Sequence, residues 1–190
     1  MIKELKRCPW VENQSDLYKK YHDEEWGIPL HDDLKLFETL ILEGKSCGLS
    51  FYLILKRRDA LRKVFDNFNP EILVKYDDKK IDLLMKEECV IKHRLKVQAV
   101  VENAKAYFKV KEKYGSFDKF LWSYVNNKPI INTNIAISSY PTRNEISDRL
   151  SKDLKKLGFK FIGSTIIYSF MQAIGMVNDH TDDCFCKYLK

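Results

Sequence analysis

Apolar residues recur at helical spacing along most of this chain. Ser15 predicts the cap of a helix carrying Leu17, Tyr18, Tyr21 and His22. Asp32 or Asp33 opens the next, with Leu36, Phe37, Leu40 and Ile41 on one stripe. Ser50 starts a third that runs to about Phe65. Asn69-Pro70 ends it and opens a short helix over 71–76. Asp77 or Asp78 caps another near 79–87, and a turn leads into a long helix from about His93 to Tyr114. Its expected inner face is Val97, Val100, Val101, Ala104 and Phe108. Gly115-Ser116 breaks it before a further helix over 117–125.

The stretch from Asn126 to Pro141, with Pro129, Asn132 and Asn134, reads as turns, with Pro-Ile-Ile-Asn as a short extended piece. Two helices follow, one over 144–157 ended by Gly158, the other over 164–176 preceded by Gly163. The fold class expected is all-α, in one domain over 1–190, with two helical lobes as a variant. Its most apolar run, Phe159 to Val177, contains Lys160, hydroxyl residues and Gln172. It reads as a buried helix rather than a membrane span.

Composition narrows the class a little. The net charge is +6 and the sequence pI is about 8.9, which suits polyanionic partners. MIKELKRCPW has no apolar core of an export signal, and five cysteines is an odd number. A reduced, cytoplasmic setting is expected, with thiols free or bound to metal.

Three constellations carry chemistry. Cys8 and His22 near one end, with His180 and Cys184 near the other, form a natural tetrahedral set for Zn²⁺. Four protein ligands would leave no open position, so such a site is structural. The same residues also read as buried thiols and ordinary histidines, and Cys186 could replace Cys184. His31 and His93 read as surface or capping residues. Glu43 falls on the stripe of Leu36, Leu40 and Cys47, where a core residue belongs. It would either bond a neighbouring helix terminus or serve a ligand pocket. Gly44 and Gly48 follow, and Trp10, Tyr18, Tyr21 and Trp26 supply rings suited to a flat cation. Between two helices, Lys92, Arg94 and Lys96 border a turn that would either grip phosphate or be a solvated connector.

Longer segments make the case specific. Arg7-Cys8-x-Trp10, Tyr21-His22-Asp23-x-Glu25-Trp26-Gly27, Leu42-Glu43-Gly44, Gly48-Leu49-Ser50 and Tyr168-Ser169-Phe170-Met171-Gln172-Ala173-x-Gly175-x-Val177-Asn178-Asp179-His180 stand out. So do Trp122-Ser123-x-Val125-Asn126 and Gly158-Phe159-Lys160-Phe161-x-Gly163. Over about residues 7–188 the chain resembles bacterial DNA-3-methyladenine glycosylase I of the helix–hairpin–helix superfamily.

The resemblance implies a structural zinc on Cys8, His22, His180 and Cys184, and a flipped-base pocket lined by Tyr21 and Glu43. It implies excision of N3-methyladenine from alkylated duplex DNA, leaving an abasic site. Phe51 stands where the family has a stacking Trp, and Ser46 and Cys47 replace its glutamine and alanine. Cys89 and Leu95 stand where the hairpin usually has glycine. On this reading Glu43 accepts hydrogen bonds from the base and favours its positive charge, and Tyr21 and Phe51 stack on it. Trp10 forms an outer wall. Leu49, beside Gly48, enters the gap in the duplex, or else is a core leucine. A monomer is expected. The alternative is a catalytically weak paralogue that binds damaged or methylated DNA. Two further rivals are a hydrolase with a catalytic three-ligand zinc and a zinc-stapled protein without a nucleic acid partner.

Overall fold

The computed structural model describes residues 5–133 and 140–188. Asn134, read above as a turn residue, lies outside them. Among the described residues the chain folds into ten α-helices: α1 Pro9–Glu12, α2 Asp16–Glu24, α3 Asp33–Ser46, α4 Phe51–Val64, α5 Pro70–Leu73, α6 Asp78–Leu84, α7 Arg94–Tyr114, α8 Phe117–Trp122, α9 Glu145–Leu157 and α10 Ser164–Ala173. Short 3-10 turns cover Asp66–Phe68 and Ser123–Val125.

Most starts are set by side chains that accept orphan backbone amides. Ser15 accepts from the Tyr18 amide, Asp32 from Leu34 and Lys35, Ser50 from Leu53, Asp77 from Lys80, and Ser116 from Lys119. Asn144 and Ser147 form a reciprocal capping box on α9. His93 caps α7 and the exposed His31 ring bonds Asp118, so both act as surface or capping groups.

Helix α3 is the centre of the assembly and packs against α4, α7, α8 and α10. Leu36, Phe37 and Leu40 are fully buried on it, each stabilising the fold by about 1.5–3 kcal/mol. On α7, Val97, Val100, Val101 and Ala104 face inward as expected, but Tyr107 rather than Phe108 is fully enclosed. Phe108 packs at the edge of the core. The Tyr107 hydroxyl faces Asp33, whose carboxylate also accepts the amides of Phe117 and Asp118.

The extended piece expected at Pro-Ile-Ile-Asn is present as a strand, while its pairing and one helix depart from the expectation. Strand β1, Ile130–Ile131, pairs in parallel with β2, Val177–Asn178, in the register Ile130 to Val177. Helix α10 therefore stops at Ala173 instead of reaching Met176, because the chain turns to reach this pair. Helix α1, a single turn, is absent from the expected elements. No helix among the described residues is long and apolar enough to cross a membrane.

Candidate functional site

Two clusters meet at the end of the molecule where α2, the C-terminal half of α3 and the residues after α10 come together. The first is the four-residue set from the chain ends. One ligand atom each from Cys8, His22, His180 and Cys184 lies within 4.8 Å of the others, and all four residues are buried. The Cys8 sulfur is 3.4 Å from His180 Nδ1, and the Cys184 sulfur is 3.5 Å from the same nitrogen and 3.6 Å from His22 Nε2. Bond lengths of about 2.3 Å to sulfur and 2.0–2.1 Å to nitrogen give a sulfur–nitrogen edge of roughly 3.6 Å in a zinc tetrahedron. The donor set therefore fits that ion.

The outer nitrogens of both rings are also held. His22 Nδ1 is 2.8 Å from Asp23, and His180 Nε2 is 3.2 Å from the Trp26 carbonyl. Such partners fix the orientation of ligating imidazoles. Asp23 is itself clamped by Arg7 at 2.8–3.0 Å. Behind His180, the Asp179 carboxylate accepts from Asn132, Tyr168 and Gln172 at 2.7–2.8 Å. Buried Lys187 donates to the His180 carbonyl at 2.7 Å and to that of Asn132. Gly27 is required beside the cluster: its φ is +76°, and a Cβ there would stand 2.9 Å from His180 Nε2. Cys186 is buried and belongs with His22 and Asp23 to a second group that overlaps the first at His22; the set containing Cys8 and His180 has Cys184.

The second cluster is a cleft of about 520 Å³. Trp10, Tyr18, Tyr21, Trp26, Phe51 and Tyr140 supply its rings, and Glu43, Ser46, Gly48, Leu49, Ser169 and Gln172 also line it. Tyr21 meets Phe51 at 5.2 Å between ring centroids and Tyr18 at 6.2 Å in a stacked arrangement. Trp10 packs edge-on to Tyr18 and Trp26, each at 5.1 Å.

Glu43 is 3% exposed. Its carboxylate takes part in no hydrogen bond or ion pair among the described residues. Only its backbone carbonyl is engaged, by the Ser46 hydroxyl at 2.7 Å. Burial alone pushes the carboxyl up to about 8. Burial, with Glu43 and Glu25 adding repulsion, also raises the Tyr21 phenol well above its ordinary value. A neighbouring cleft of about 460 Å³ shares Tyr21 and Phe51. Its Arg58 pairs with Glu25 at 2.5 and 2.8 Å, and its Arg62 with Glu38 at 2.6 Å. An inward acid without a partner distinguishes the first cleft.

The rim is built by the end of α3. Ser46 to Leu49 make a type II turn, with Cys47 at φ −49° and ψ 116°, Gly48 at φ +74°, and the Leu49 amide 2.6 Å from the Ser46 carbonyl. Leu49 stands out from this turn at 41% exposed, so it is a rim residue and not a core leucine. Cys47 is exposed beside it.

The basic residues behave differently from expectation. Lys96 is buried, and its ammonium donates to the carbonyls of Lys45 at 3.0 Å and Cys47 at 2.5 Å. It ties the start of α7 to the rim turn, which corrects the reading of Lys96 as a phosphate contact. Two main-chain acceptors otherwise orphaned at a helix end drew it inward. Lys92 donates to the carbonyls of Met85 and Glu87 and closes its own turn, while Arg94 pairs with Asp82 and Asp78. Cys89 packs at the core edge and Leu95 is 64% exposed.

Sequence reasoning did not single out Tyr140, Ser169 or Gln172 as cleft residues. The last two lie in the Tyr168–His180 motif, and for Tyr140 no local pattern marked it. Lys96 could have been found, since it precedes core Val100 by one helical turn.

Known proteins are similar to this chain in sequence and fold. Residues 10–187 match the model of a family described as methyladenine glycosylase. The DNA-3-methyladenine glycosylase of Haemophilus influenzae is 48% identical over 181 residues, spanning 95% of this chain and 97% of its own. DNA-3-methyladenine glycosylase 1 of Escherichia coli K12 is 44% identical, over 96% of this chain and 97% of its own. The solved 3-methyladenine DNA glycosylase I of Staphylococcus aureus, studied for its recognition of 3-methyladenine, superposes with a TM-score of 0.92 at 40% identity, covering 95% of this chain and 96% of that one. With the match running over almost the whole length, the chain belongs to the methyladenine glycosylase family.

Proposed function

We infer that this protein releases 3-methyladenine from alkylated DNA by hydrolysis of the base–sugar bond, leaving an abasic site. The observation that carries the reading is Glu43, a buried acid with no protein partner, in a cleft walled by aromatic rings. Methylation at N3 makes the base cationic and a ready leaving group, so the protein's task is to hold the flipped nucleotide and favour its charge. A cationic purine edge supplies the partner that the Glu43 carboxylate lacks and brings that group back toward its ionised form. Tyr21 and Phe51 offer ring faces to the base, and Trp10 closes the outer side. Water attacks the sugar carbon as the bond to the base breaks, and the bonding electrons neutralise the leaving purine.

Leu49 is assigned to the space the base vacates in the duplex, on the support of its exposed place at the rim turn. The backbone between α6 and α7 is assigned to a phosphate of the duplex, as in helix–hairpin–helix proteins. Lys92 supplies positive charge nearby; Arg94, already paired with two aspartates, contributes less.

Cys8, His22, His180 and Cys184 are assigned to a structural zinc. Four protein donors at tetrahedral spacing support closed coordination. When bound, the ion stiffens the cleft: Cys8 precedes Trp10 by two positions, His22 follows Tyr21, and His180 is held by the Trp26 carbonyl.

Incubating the protein with methylated duplex DNA and identifying the free bases tests the reading. Release of 3-methyladenine is expected. Tight binding of the same DNA with no base released would favour a binding protein instead.

A further inference from the structure

The Tyr140 hydroxyl is buried, and no hydrogen-bond partner of good geometry reaches it. Among the described residues it is the one side-chain oxygen or nitrogen fully closed off from solvent in that condition; the Glu43 carboxylate, also unpartnered, borders the cleft. Leaving a hydroxyl so costs about 1–3 kcal/mol. Its ring packs against the cluster that contains Cys8, Tyr21, Trp26 and Cys184, and it also lines the cleft with Glu43. Burial acts most on the phenol and raises it, followed by Cys8, then Asp179 and Cys184. Asp179 already accepts three hydrogen bonds, and the Cys184 sulfur is directed at both histidines. Each sulfur faces a histidine, and of the two Cys8 acts on the phenol more strongly. As a thiol it is a weak acceptor. As a metal-bound thiolate it carries charge and accepts further donors, with the Thr181 amide already 3.4 Å away.

We propose that Tyr140 is a positioning residue whose hydroxyl donates to the zinc-bound sulfur of Cys8, fastening one wall of the base cleft to the metal centre. The proposal rests on the zinc assignment above. The bond spreads the thiolate's charge, slows loss of the ion, and anchors Tyr140 and the following Pro141 and Thr142, all of which line the cleft.

Wild type and Tyr140→Phe are compared, each as zinc protein and after replacement of zinc by Co²⁺. The variant keeps the ring and loses only the hydroxyl. Transfer of zinc to a coloured chelator should be about 10–100-fold faster from the variant, the usual cost of losing an outer partner of a metal ligand. A hydrogen bond lowers the energy of the sulfur electrons. The sulfur-to-cobalt absorption band should therefore move to longer wavelength in Tyr140→Phe, a change that loosened packing alone would not produce. Identical bands and identical release rates overturn the proposal while leaving the zinc assignment intact. Wild type that contains no zinc and takes up no Co²⁺ overturns both.

Discussion

Tyr21 and His22 are consecutive residues of α2, yet they serve different clusters. The Tyr21 ring meets Phe51 in the cleft at 5.2 Å, while His22 Nε2 stands 3.6 Å from the Cys184 sulfur. One helical step separates the surface offered to a base from the cluster that pins the chain ends together. Disturbing either one is therefore felt by the other.

Gly27→Ala tests this coupling from the metal side. The added methyl would fall 2.9 Å from His180 Nε2 on a backbone at φ +76°. Faster zinc loss to a chelator is expected, followed by weaker 3-methyladenine binding. Both effects should shrink in excess zinc, because ligand binding shifts the equilibrium toward the assembled site. Zinc release at the wild-type rate would contradict it.

Glu43 ties stability to pH. Its carboxyl is raised from 4.5 to about 8 by burial. The folded protein thus retains a proton that the unfolded chain gives up above about 4.5. Stability from this group is full below that value and declines as pH climbs toward 8. Glu43→Gln removes the decline, so the variant should outlast wild type in urea at pH 8, by up to about 5 kcal/mol. The margin should vanish near pH 4. The same variant should lose 3-methyladenine release, separating the function of the acid from its cost. A margin independent of pH would show that Glu43 does not titrate in this range.

At position 51 a larger ring is expected to improve the grip on a cation. Trp is the stronger cation–π partner, by about 1 kcal/mol. Phe51→Trp should therefore bind 3-methyladenine roughly 5-fold more tightly in a titration followed by NMR. Unchanged or weaker affinity would mean that the base does not lie over this ring.

Lys96 and Lys92 should separate in a salt series of duplex binding. Lys96 donates to two carbonyls inside the fold. Lys96→Met should lower stability by about 1–3 kcal/mol and leave the slope of log affinity against log salt unaltered. Lys92→Ala should reduce that slope by about one counterion. A reduced slope for Lys96→Met would restore it as a phosphate contact.

Much of this was legible in the chain because it is local. A hydroxyl, carboxylate or amide before an apolar stripe marked the starts of α2, α3, α4, α6 and α9, and Glu43 betrayed itself as an acid in register with Leu36 and Leu40. The family segments located both clusters. What escaped depends on distant partners. Nothing near Ile130 announces pairing with Val177, and Lys96 looks like any surface lysine until the end of α3 arrives beside it. Tyr140 belongs to no periodic pattern in the sequence, and only the assembled fold brings it to Cys8 and Glu43.

The contact between Cys8 and His180 also has a consequence for synthesis. Trp10, Tyr18 and Tyr21 are synthesised ahead of His180 and Cys184, so the cluster beside them is not complete until Cys184 has emerged. A nascent chain cut short before that point carries the aromatic face without its fastening. Competence to hold a damaged base therefore waits on residues far downstream of the cleft walls.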